Sequence, residues 1–123
     1  MVAAALAAFV VSSVYYVLVT PLERRALGAA ALERGRPGPA KVLTELVRTV
    51  VTAAVFAWIA DRTGDLDVGS GVPLALALWV GFPVVLLTGS VTWEKVPPVT
   101  AAVHAGDWLL KLLLVAVVLG LLH

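Results

Sequence analysis

Four apolar stretches, each about 20 residues long, constrain this chain more than anything else in it: residues 2–20, 42–60, 72–90 and 101–122. Roughly 20 consecutive apolar residues is what a helix needs to cross the hydrocarbon layer of a bilayer. Lipid offers no partner to a backbone N–H or C=O, so segments of this kind must satisfy themselves as helices. The fold class read from these stretches is all-α: an integral membrane four-helix bundle forming one domain over residues 1–123.

Composition agrees and closes off other classes. The chain is 61% hydrophobic and 14% charged, far from the quarter or so of charged residues in soluble domains. No polar segment is long enough to fold a soluble catalytic domain. The net charge is +1 and the basic residues fall in a connection instead of on a folded face, so a nucleic-acid partner is not expected. Cysteine is absent, which removes disulfides and thiolate chemistry.

Lysine and arginine set an expected orientation. The connection 21–41 holds Arg24, Arg25, Arg34, Arg36 and Lys41, and the third connection adds Lys95; the second has Arg62 among Asp61, Asp65 and Asp67. By the positive-inside rule the first and third connections are cytoplasmic and both termini external. That imbalance also speaks against a chain inserting both ways. No basic region precedes the first apolar stretch, so it reads as a retained helix and not a cleaved signal. The expected location is the cell membrane, multi-pass.

Gly35-Arg36-Pro37-Gly38-Pro39 cannot continue a helix. It is expected to end a short basic segment that starts at Pro21, a residue suited to a first helical turn, and that lies along the inner membrane surface as a topology anchor or as a lipid-recognition element. Pro97-Pro98 separates the third span from the fourth. Midway through the third, Gly81-Phe82-Pro83 predicts a bend, since Pro83 cannot bond the carbonyl of Trp79.

The few ionisable residues inside the spans are the candidate site. Glu45, Arg48, Thr49 and Thr52 follow helical spacing in the second span, as do Thr100, His104, Asp107 and Lys111 in the fourth. A charge at the bilayer centre costs roughly 2.5–3.5 kcal/mol by insertion scales, so these groups point to a polar interior. In both Glu45/Arg48 and Asp107/Lys111 the acid precedes the base, the order that suits pairing along one helix. A network that only joins helices and one that also contacts a solute are both compatible with this pattern. Ser12, Ser13, Tyr16 and Thr20 add polar groups to the inner half of the first span. If the stripes converge, they outline a pocket open toward the cytoplasm.

Aromatic residues divide by depth. Trp58 and Trp93 read as interfacial belt residues, whereas Tyr16, Trp79 and Trp108 are placed to wall a cavity. Rows of small residues at four-residue spacing, Ala4/Ala8/Ser12, Ala102/Gly106 and Ala116/Gly120, predict close helix contacts. Such faces serve one bundle or a homodimer equally well.

The run Leu78-Trp79-Val80-Gly81-Phe82, then Leu86-Leu87-Thr88, Trp93-Glu94-Lys95, His104-Ala105-Gly106-Asp107-Trp108-Leu109-Leu110 and Gly120 resembles the second half of a bacterial membrane family, domain of unknown function 1761. Tyr15-Tyr16 ahead of Pro21-Leu22 resembles the aromatic pair closing that family's first helix. Ser12-Ser13 stands where the family tends to carry glycine, and Thr92-Trp93-Glu94-Lys95 replaces an aromatic-Glu-Gly step. The resemblance implies a small four-helix membrane protein and supplies no catalytic residue.

Familiar four-helix activities fit poorly. Small multidrug exporters depend on a glutamate in their first membrane helix, and this first span has no acid. No clustered His, Asp or Glu set suits a metal, and neither a phosphate loop nor a serine nucleophile elbow is present. No metal or cofactor is expected, and haem ligation through His104 ranks below every other reading. Three functions stay open. One is binding or transport of a small polar or amphipathic solute by Glu45, Arg48, Asp107, Lys111, His104, Tyr16 and Trp79. The second is an enzyme on a lipid or isoprenoid-like substrate, with Asp107 or Glu45 as acid/base and Arg48 or Lys111 as anion stabiliser. The third is a structural or accessory subunit. Membrane lipids are the expected surroundings in all three.

Overall fold

Backbone groups in so apolar a chain have only one another to bond, and the described part of the protein is helical almost throughout. A computed structural model describes residues 2–27 and 38–122. It contains α1 (Val2–Leu27), α2 (Pro39–Thr63), α3 (Val68–Trp79), a π-helical turn (Val80–Val84), α4 (Val85–Trp93) and α5 (Pro98–Leu122). No strand occurs among the described residues. α3, the π turn and α4 run on as one rod, so four helices, Val2–Leu22, Pro39–Thr63, Val68–Trp93 and Pro98–Leu122, are long and apolar enough to cross a membrane. This is the make-up of a multi-pass membrane protein.

α5 is the hub, packing against α1, α2, α3 and α4, and α1 also packs on α2. The core is built mainly from alanine: Ala4, Ala5 and Ala8 of α1, Ala53 and Ala60 beside Phe56 in α2, Ala75 of α3, and Ala116 with Leu112 and Val115 in α5. Small side chains let helix backbones approach closely, which is how helices gain dispersion energy where lipid is as apolar as the core. The expected Ala4/Ala8/Ser12 row is buried along its length. Outward, Val14, Leu18, Val51, Val55, Phe82 and Leu86 are exposed, a surface that water would penalise and lipid tolerates.

Capping interactions close both ends of α2 and open α3 beyond their apolar stretches. Gly38 is extended and its carbonyl accepts from the amides of Lys41 and Val42, both at 3.1 Å, at the start of α2. At the other end Gly64 takes φ 75°, which lets Asp65 N–H reach the Ala60 carbonyl at 2.7 Å, a left-handed closure that glycine makes without steric cost. Asp67 then caps α3 by accepting from the Ser70 amide at 3.1 Å.

Two proline positions behave differently from simple expectation. Pro21 does not open a separate segment: α1 runs through it to Leu27. The proline forfeits the bond to the Val17 carbonyl without ending the helix, and the Thr20 hydroxyl bonds the Tyr16 carbonyl beside it. Residues 28–37 of that connection, including Arg34, Arg36 and the Gly35 to Pro37 part of the break, lie outside the described residues, as does His123. At Pro83 the expected irregularity takes the form of the π turn. One extra residue in the turn absorbs the missing donor without breaking the rod.

Candidate functional site

Helical spacing puts Asp107 and Lys111 one turn apart on α5, and their side chains are both 5% exposed with Lys111 Nζ 3.0 Å from Asp107 Oδ2. The remaining lone pairs of the carboxylate are supplied from α1. Ser12 Oγ donates to Oδ1 at 2.5 Å, and Tyr16 OH lies 3.4 Å from Oδ2. The same Tyr16 hydroxyl is 2.8 Å from His104 Nδ1. With a single proton it donates to one neighbour, and it accepts from His104 only when that ring carries its proton on Nδ1. Asp107 is thus held from three sides and buried as a paired, hydrogen-bonded charge, the condition under which an interior carboxylate is tolerated.

The network continues outward to α2. Glu45 Oε2 stands 3.8 Å from Lys111 Nζ, and Glu45 Oε1 pairs with Arg48 on its own helix. Here the environment changes: the Glu45 side chain is 45% exposed and that of Arg48 54%. The Lys111 ammonium also sits 5.6 Å over the Trp108 ring, close enough for a cation–π contribution. Six of the seven residues singled out from sequence, Tyr16, Glu45, Arg48, His104, Asp107 and Lys111, therefore form one continuous chain of polar contacts across α1, α2 and α5.

Trp79 is the seventh and stands apart. Its indole N–H donates to the Ala105 carbonyl at 2.8 Å, so it ties the end of α3 to α5 instead of joining the charged residues. Two residues missing from the sequence-derived site enter it. Ser12 was legible as the end of the Ala4/Ala8 row: whatever helix receives that row also receives the hydroxyl. Tyr15, whose OH donates to the Val103 carbonyl at 2.7 Å and whose ring lies over Gly106, carried no signal beyond its neighbour Tyr16.

No set of three or more His, Asp or Glu side chains that could hold a metal occurs among the described residues. Two shallow hollows lie elsewhere. One, about 170 Å³, runs between α4 and α5 and is lined by Leu87, Thr88, Val91 and Ala102 among others. The second, about 300 Å³, is formed by Asp61, Gly64, Leu66 and Asp67.

Comparison with curated proteins and with solved structures gives no match. At the level of sequence families the outcome is different. The match covers residues 1–120, three spans whole, the fourth as far as Gly120 and every residue of the charged network, and the chain belongs to the family described as Protein of unknown function (DUF1761).

Proposed function

We propose that this protein binds, and carries across the cell membrane, a small polar or amphipathic solute through the polar site between α1, α2 and α5. One observation carries the reading: a fully enclosed Asp107/Lys111 pair near the middle of a membrane-length helix is connected, through Glu45, to a half-exposed Arg48. Intramembrane charge is expensive and tends to mark a pathway or site, and here it forms a graded path from exposed to buried. The basic first and third connections favour a cytoplasmic opening with both termini outside.

An accessory or structural subunit is the second reading. It draws on the absence, among the described residues, of any buried side-chain nitrogen or oxygen without a partner. An enzyme on a lipid has less to rest on, because both oxygens of Asp107 already accept from neighbours.

Counterflow in proteoliposomes tests the proposal, using a panel of labelled carboxylates, amino acids, sugars and quaternary amines. Saturable flux of at least one solute is expected, lost in a Lys111→Met variant that still melts cooperatively. Absence of saturable flux and of binding for the whole panel would transfer support to the accessory role.

A further inference from the structure

The two acids in the network are held in different ways. Asp107 has Ser12, Tyr16 and Lys111 around it, all within 3.4 Å, inside the bundle. Glu45 has one partner on its own helix, Arg48, and a second, Lys111, at 3.8 Å, beyond hydrogen-bond reach, and its side chain is close to half exposed. Buried, multiply bonded ions are costly to remove. A carboxylate with one partner on its own helix and a second beyond hydrogen-bond reach has fewer bonds to lose on moving. Asp107 is a fixed counter-ion, and Glu45 is a loose one.

The cations show the complementary feature. An ammonium has three donors, yet of the carboxylate oxygens facing Lys111 only Asp107 Oδ2, at 3.0 Å, lies within hydrogen-bond distance. Arg48 presents a planar fork of five donors and gives one Nη to Glu45. The Glu45 carboxylate spans the space between them, one oxygen toward each cation.

Resting on the solute-binding reading above, we propose that the ligand of this site carries an oxyanion, a carboxylate or phosphate, which takes the place of Glu45 between Arg48 and Lys111. Glu45 acts as an exchangeable counter-ion. It keeps the two cations neutralised when the site is empty and swings toward its exposed side when the ligand enters. Bidentate capture by the guanidinium supplies the geometry, and the buried ammonium supplies a second donor set from inside the bundle. Asp107 remains on Lys111 throughout, so the cation is never left unpaired.

The test is thermal unfolding of the full chain in neutral detergent against acetate, inorganic phosphate, phosphatidic acid in mixed micelles, and choline as a cationic control. Acetate, phosphate or phosphatidic acid is expected to raise the melting temperature saturably, and choline to leave it unchanged. The distinctive variant is Glu45→Gln, which removes the internal competitor and is expected to tighten the oxyanion roughly fivefold. Arg48→Gln, at a position outside the buried core, is expected to abolish the stabilisation. A response to phosphatidic acid alone identifies a lipid headgroup as the source, and a response to acetate or phosphate a free solute; both support the oxyanion. Unchanged or weaker binding in Glu45→Gln overturns the exchange. Saturable stabilisation by choline overturns the oxyanion while leaving solute binding intact, and no response to acetate, phosphate or phosphatidic acid overturns the oxyanion, solute binding then standing or falling on the counterflow panel.

Discussion

Asp107 and Lys111 show what a single position can demand in this protein. Each is an ion taken out of water, and each is tolerable because the other is 3.0 Å away. Asp107→Leu should therefore cost roughly 3–5 kcal/mol, since it strands a buried ammonium, as measured by unfolding in detergent. The double variant Asp107→Leu/Lys111→Met should lose less than the single one, because no uncompensated charge remains. The pair itself was legible in the sequence from its four-residue spacing, as was the Glu45/Arg48 pair from its spacing of three. Ser12 and Tyr16 were visible as polar residues of the first span, but their contact with Asp107 was not. Which helix Ser12 and Tyr16 face depends on how α1 rotates against α5, and periodicity within one helix carries no information about its neighbour.

At the scale of elements, the contact between α5 and the start of α3 depends on one missing side chain. A Cβ on Gly120 would stand 2.6 Å from the Val68 nitrogen and 3.0 Å from the Asp67 carbonyl carbon. Backbone cannot yield as a flexible side chain does, so Gly120→Ala should destabilise by about 1–3 kcal/mol through overpacking. Gly89→Ala, inside α4 with nothing within 4 Å of the new carbon, should not destabilise and by helix propensity should gain up to about 1 kcal/mol, which makes it the control.

The α3 cap provides a test in pH. The Ser70 hydroxyl and amide bonds hold the Asp67 carboxyl below its ordinary value. A carboxylate whose pKa is lowered by folding stabilises the fold fully above its unfolded value and loses that contribution as pH falls through the folded one. The stability difference between the native chain and Asp67→Ala should accordingly be largest near neutrality and shrink in acid below the ordinary carboxylate value. Constant spacing between the two unfolding curves down to that pH would contradict the capping role. The cap was not part of the sequence reading, which placed Asp67 only as one of three acids in a loop, whereas the irregularity at Pro83 was expected because a missing donor is a property of the residue itself. That it takes the form of a π turn over Val80–Val84 instead of a simple bend was visible only in the structure.

For the whole molecule, orientation is the property on which the proposed function depends and which charge bias alone argues. A chain with no cysteine allows single thiols to be introduced without background. Lys95→Cys should be labelled by a membrane-impermeant reagent only from the cytoplasmic side, and Thr63→Cys only from the outside. The reverse pattern would place the Glu45 and Arg48 end of the site at the external face and reverse the direction of solute entry.

The amino-acid sequence by itself determined that the chain makes four membrane-length helices and that its internal charges come as acid-before-base pairs. Those are consequences of local hydrogen bonding, apolar run length and helical period, all readable along one strand of chain. Only the tertiary structure decided that α5 is the common neighbour of the other helices, that α1 turns Ser12 and Tyr16 toward Asp107, that Trp79 is spent on the Ala105 carbonyl, and that Glu45 is left half-exposed between two cations. Those outcomes follow from how alanine-lined faces of different helices fit against one another, a matching of surfaces that no single stretch of residues specifies.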